Sequence, residues 1–156
     1  MSDRPAARAS DERLLTFEIG SSLYALPISG IVEVTEVEDG FAGVPTVSPK
    51  SCGVINFHGD ALPVLRSEAL LGVEGDAEKS PAQVVVITDR PTEQARLGLP
   101  VDEILGLVNG PRATPRDMDP VAERRSIDGR VAKILDPGRL VTRAAAVIEG
   151  RNEEIN

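Results

Sequence analysis

The chain has 156 residues, 41% of them hydrophobic and 27% charged, with a formal net charge of -8; that suffices for one domain or a pair of small subdomains and argues against nucleic acid, whose phosphates need clustered Lys and Arg. Aromatics are 3% with no Trp, and Cys52 is the single cysteine, which removes base-stacking platforms and internal disulfides and suits a reducing compartment. No apolar run approaches the roughly 20 residues of a membrane span, and the polar start of the chain lacks a signal-peptide core, so the expected location is the cytoplasm, without membrane insertion.

Residues 1–12 show no apolar period and read as a disordered tail. Leu14 to Ile19 reads as a first strand with Leu15, Phe17 and Ile19 on one face, followed by a Gly20-Ser21-Ser22 turn. Leu23 to Ile28 reads as a second strand. Ile31 to Val37 alternates again, with Val32 and Val34 on one face and Ile31, Glu33, Thr35 and Val37 on the other. The second face mixes apolar residues with a carboxylate, a composition that suits either a half-buried strand or a contact surface. Residues 38–51 read as a loop.

Gly53 to Leu65 reads as a hairpin with its turn at Gly59-Asp60. His58 reads as a mid-strand residue, on the face shared by Val54 and Asn56. Ser67 to Leu71 reads as a short helix capped by Ser67. Residues 72–81 form a polar linker and the candidate subdomain boundary. Val84 to Ile87 is β-branched or branched throughout, so a strand buried on both faces is expected.

Leu97 to Val101 and Ile104 to Val108 read as further strands, and Asn109 to Gly129 as a long irregular segment. Arg130 to Leu135 reads as the last strand. Asp136-Pro137 is a helix start, with Asp as cap and Pro in the first turn. Leu140, Ala144, Val147 and Ile148 keep helical spacing, Gly150 marks the stop, and residues 150–156 read as frayed. Short strands with Gly and Pro punctuation and one terminal helix point to small antiparallel barrels.

Chemistry is sparse. Cys52 and His58 lie on what reads as one strand, roughly 20 Å apart if extended, too far for a nucleophile and its base. The two cannot complete a tetrahedral metal site, and the Asp117-Met118-Asp119 spacing reads as solvated loop charge. No catalytic residue, metal or cofactor is expected. A small Cys-dependent enzyme is the contrasting alternative. What remains is surface.

Leu14-Leu-Thr-Phe-Glu-Ile-Gly20, Tyr24-Ala-Leu-Pro-Ile-Ser-Gly-Ile-Val-Glu-Val34, Gly53-Val-Ile-Asn-Phe-His-Gly59 and Leu62-Pro-Val64 follow one another in an order that resembles the CheW family, the coupling proteins of bacterial chemosensory arrays. The resemblance continues through Val84-Val-Val-Ile87, Gly98-Leu-Pro-Val-Asp102 and Ile134-Leu-Asp136. It implies an all-β fold with a C-terminal helix, built as two SH3-like antiparallel β-barrels side by side. A single domain over 13–149 would divide into one subdomain at about 22–80 and another at about 82–149 that also takes the 14–20 strand.

The resemblance also implies a non-catalytic adaptor that bridges the cytoplasmic signalling tip of a chemoreceptor and the regulatory domain of a CheA-type histidine kinase. The partner-binding positions it implies are Ile28, Ile31, Glu33, Asn56, His58, Val84 and Val85. Two departures stand out. The family usually carries Asn-Leu-Arg-Gly where this chain has Asn56-Phe57-His58-Gly59, and an Asp where this chain has Arg66. The arginine ordinarily pairs with the glutamate at Glu33, so a His58–Glu33 pair is expected in its place. The departures leave open a diverged paralogue that binds receptor and has lost the kinase.

Overall fold

The computed structural model describes residues 11–36, 42–43, 52–73, 83–90, 94–115 and 117–149. Most of the expected tail, the 38–51 loop, the linker and the frayed C-terminus lie outside those residues. The strands are β1 (Asp11–Ile19), β2 (Ser22–Pro27), β3 (Ile31–Glu36), β4 (Ala42–Gly43), β5 (Cys52–Phe57), β6 (Asp60–Leu65), β7 (Gln83–Ile87), β8 (Leu97–Val101), β9 (Glu103–Pro111), β10 (Val121–Ile127) and β11 (Arg130–Leu135). The helices are α1 (Ser67–Leu71) and α2 (Pro137–Ile148), and a turn of 3-10 helix spans Ile28–Gly30. Asp11 and Glu12, expected in the tail, already belong to β1, opposite Pro111 and Gly110 of β9.

Two sheets form, in the orders β10-β11-β2-β1-β9 and β3-β7-β8-β6-β5-β4. They are the two small SH3-like barrels, with one C-terminal helix. Sheet membership divides the chain elsewhere than at the linker. β7 and β8, beyond residues 72–81, sit beside β3 and β6, and β2 stays on β1 and β11 rather than joining the strands after it. The short Gly20-Ser21 connection, with Gly20 at φ 63°, folds β2 straight back onto β1.

The halves share one plan, read from opposite ends. β11 runs parallel to β2, as β6 does to β8. The pair β1–β9 carries a bulge at Thr16/Phe17, and the pair β7–β3 one at Ile31/Glu33. β5–β6 and β10–β11 are hairpins whose turns, His58-Gly59 and Asp128-Gly129, have positive φ at both positions, the type I′ geometry that follows the strand twist. The turn expected at Gly59-Asp60 is therefore one residue earlier. Val121–Ile127, expected to be irregular, is a strand, and its irregular neighbour ends at Pro120.

Three apolar clusters follow from alternation. Leu14, Leu23, Ala25, Ala132 and Ile134 fill the first barrel. Leu62, Val64, Val84 and Val86 fill the second. Phe17, Tyr24, Leu26, Leu65, Val85, Ile87, Leu99 and Leu135 form a third, larger cluster with contributions from both sheets, closed by Leu140, Val141 and Ala144 of α2. β7 is buried on both faces, as expected, because Val84 and Val86 enter the second barrel while Val85 and Ile87 enter the shared cluster. Tyr24 stacks on Phe17 with centroids 6.1 Å apart, and burial pushes its phenol above the ordinary value.

α2 begins as expected: the Arg139 amide donates to Asp136 Oδ2 at 2.9 Å, and Pro137 opens the first turn. α1 occupies the corresponding place after β6, but Arg66 stands at its cap position and no side chain caps it. Ser67, expected to cap, is instead its first residue and is buried. No described helix is long and apolar enough to cross a membrane.

A methyl on Gly30 would overlap the Pro137 ring, so Gly30→Ala should cost about 1–3 kcal/mol by overpacking. Gly106→Ala, with open space around its Cβ position, should cost far less in the same urea titration. Arg66→Asp supplies the missing N-terminal acceptor on α1 and should raise stability by about 1 kcal/mol; an unchanged midpoint would show that capping is not what limits α1.

Candidate functional site

The surface around β3 is built by the way β2 ends. Pro27, still extended at φ -65° and ψ 138°, is the last residue of β2, and the chain then turns through the 3-10 residues Ile28–Gly30. Gly30 is pinned there. Its carbonyl accepts the Thr88 amide at 3.0 Å, and its bare Cα lies against Pro137. The turn leaves Ile28 39% exposed.

β3 then departs from simple alternation. The bulge between Ile31 and Glu33 inserts a residue, so Ile31 and Val34 both pack against the shared cluster. Val32, expected on the same face as Val34, is instead 42% exposed. A bulge changes which face each later residue takes. Val32 is thus the surface residue that local alternation misses, and no local residue signal identifies the bulge.

His58 arrives from the other end of the same sheet. It was expected within the strand; it sits in the β5–β6 turn with φ 51°. Asn56 holds that turn by accepting the Gly59 amide on Oδ1 at 2.9 Å, an interaction by which Asn favours turns. Phe57 meets the imidazole edge-on, centroids 4.3 Å apart, and is itself packed against the second barrel's interior.

The imidazole Nε2 lies 3.0 Å from Glu33 Oε1, with side-chain exposures of 70% and 40%. The expected pair is present, on the surface. Its position has structural meaning: β3 is one edge of the second sheet, and β5 is next to the other edge. The contact bridges the two sides where that sheet curls toward itself.

Ile28, Val32, Glu33, Asn56 and His58 therefore offer side chains at the surface, and Ile31 stands half-buried behind them. Val84 and Val85 are fully buried; they sit on the neighbouring strand, opposite Thr35 and Val34, and support β3 rather than face outward. Beside this surface a cleft of about 420 Å³ runs past Pro27, Ser29, Gly30, Thr88 and Asp89 to Pro137. Cys52 and His58 lie at opposite ends of the β5 segment, and Cys52 pairs with Leu65. Among the described residues no group of three or more His, Cys, Asp or Glu is placed to hold a metal ion.

An exposed pair of this kind contributes little to stability because water and salt screen it. Glu33→Ala should therefore shift the unfolding free energy by no more than about 1 kcal/mol. A larger loss in urea titration would make the pair a closure element of the barrel rather than a surface feature.

A family profile described as a CheW-like domain matches residues 13–145. The scaffolding protein TtCheW from Thermoanaerobacter tengcongensis has a similar fold, with a TM-score of 0.62 at 23% identity, over 80% of this chain and 88% of that one. No curated protein is similar enough to match. The profile covers strands of both sheets and most of α2, and on that match the chain belongs to the CheW-like domain family.

Proposed function

We propose that this chain is a non-catalytic adaptor in a bacterial chemosensory array, working in the cytoplasm to couple chemoreceptor signalling tips to a CheA-type histidine kinase. The observation that carries the reading is the exposed apolar strip of Ile28 and Val32 beside the Glu33–His58 pair. β7, the strand beside β3, is fully buried from Val84 to Ile87, which holds β3 in place before a partner arrives. Preorganisation of that kind reduces the ordering cost of binding.

The division of labour follows from the chemistry. Ile28 and Val32 lose water against an apolar helix face and supply affinity. Glu33 and His58 hold a fixed donor–acceptor arrangement at the rim and set partner choice. Bridging needs no bond to form or break. The adaptor acts by holding two partners at high effective concentration.

One observation favours the second reading, a receptor-binding paralogue without kinase contact. Where the family pattern has an acid, Arg66 stands at the start of α1 and reverses the local charge. The receptor surface at β3 is separate from it in sequence and sheet position.

The test is a titration of the full chain against a receptor signalling tip and, separately, a kinase regulatory domain. Val32→Lys should weaken receptor binding by at least about tenfold, or about 1.4 kcal/mol, and leave the kinase titration unchanged. Binding of the parent to both partners supports the full coupling protein. Receptor binding alone favours the paralogue. Receptor binding that ignores Val32→Lys removes β3 as the contact surface.

A further inference from the structure

Each sheet ends one of its strand pairs in the same way. β10 and β11 pair as far as Val121 and Leu135, and just beyond them the Asp136 amide donates to the Pro120 carbonyl at 2.9 Å. β3 and β7 pair as far as Ile31 and Ile87, and just beyond them the Thr88 amide donates to the Gly30 carbonyl at 3.0 Å. The first tie leads into α2, and the second closes the turn that carries Ile28. The two ties abut. The Pro137 ring lies so near the Gly30 Cα that a methyl there would overlap the ring's Cβ and Cγ. Gly30 has no positive φ to call for a glycine; the missing side chain is what lets the ring approach.

The two sides of this contact are unequal. Pro137 is stiff. Its ring locks φ, Asp136 caps the helical turn it opens, and Leu140, Val141 and Ala144 anchor α2 in the shared cluster. The Ile28–Gly30 turn is slight. It is three residues long, no side chain caps it, and the Ile31 amide bonds back to the Ile28 carbonyl. It also has room to move, because the cleft of about 420 Å³ opens along Pro27, Ser29 and Gly30 as well as Thr88, Asp136 and Pro137.

We infer that Pro137 is a positioning residue for the exposed strip of Ile28 and Val32, holding from α2 the turn that Thr88 holds from the second sheet. Ile28 belongs to that turn, and Val32 follows its last residue by two positions, so a shift of the turn carries both side chains with it. The helix that follows the first sheet thereby sets where the strip on the second sheet stands. What the strip recognises rests on the adaptor reading; how the turn is held does not.

The experiment compares the parent with Pro137→Ala, Gly30→Ala and the double variant, each as the full chain, by amide exchange and by titration against a receptor signalling tip. Pro137→Ala keeps a good helix former at the start of α2 and removes the ring. The Thr88 amide should then exchange at least about tenfold faster, and affinity for the tip should fall by about threefold to tenfold as preorganisation is lost. The double variant should recover much of both, because the new methyl takes the room the ring gave up, the non-additivity expected of residues in contact. Ala144→Gly, about two turns further along α2, weakens the helix away from the turn and should bind the tip as the parent does. Should Pro137→Ala melt early, Gly30→Ala tests the contact from its other side, and the same two losses are expected. Parent-like Thr88 exchange or parent-like binding in Pro137→Ala overturns the inference. So does a double variant no better than the worse single, or an equal loss of binding in Ala144→Gly. A parent that ignores the tip overturns the adaptor reading instead, and Thr88 exchange then decides the role of Pro137 by itself.

Discussion

The apolar cluster shared by the two sheets is the constraint on which the rest depends. Among the described residues each barrel interior alone is slight: five buried residues, two of them alanines, in the first and four in the second, with a few half-buried side chains against each. Barrels this small bury too little surface to stand alone with comfort. Phe17, Tyr24, Leu65, Val85, Leu99 and Leu135 solve the problem by packing outside both barrels and between them. β2, β7 and β8 then have almost no wet face, so they offer little surface for recognition. Exposed side chains are displaced toward an edge strand and a hairpin tip, which is where Val32 and His58 lie.

That displacement explains what could be read from the residues and what could not. Val84 to Ile87 was legible because a run of branched apolar residues has no room for a solvent face. α2 was legible because Asp136 and Pro137 state its start in local terms. β10 was missed because Glu123, Arg124 and Arg125 hide its alternation, although Asp128-Gly129 is a strong hairpin signal before β11. Sheet membership was misjudged because the pairing of β7 with β3, and of β2 with β11, is non-local. The site suffered most. One bulge exposed Val32, and a one-residue shift of the turn moved His58 from strand to tip; both depend on partner strands that local pattern does not name.

The common plan of the halves makes their differences informative. After β11, Asp136 caps a helix of 12 residues; after β6, Arg66 leaves a helix of 5 residues without a side-chain cap. α2 closes the shared cluster with Leu140, Val141 and Ala144, while α1 contributes Leu70. The edges differ in the same way. At the second sheet, Glu33 and His58 bridge the two sides across a surface contact. At the corresponding place in the first, β9 faces the β10–β11 turn across an open cleft. The common plan has been completed differently on each side, giving one edge a histidine–glutamate contact and the other a cleft lined by Leu105 and Leu107 together with Asp128 and Arg130.

Set against the arginine that the resemblance implies at position 58, His58 is best judged together with its neighbour. An arginine reaches a carboxylate through a long flexible stem and forks onto it with two parallel donors. A histidine has fewer torsions and one nitrogen to offer Glu33, so it must be aimed. The turn at φ 51° fixes the backbone, and the Phe57 ring, anchored in the barrel, meets the imidazole edge-on at 4.3 Å. Leucine, the residue the resemblance implies at 57, offers no ring edge or face to orient an imidazole. Phe57 and His58 therefore act as a unit that trades reach for orientation. The polar rim keeps its place on the surface, but it presents one short contact in a set direction where a guanidinium would present a wide, permanent charge.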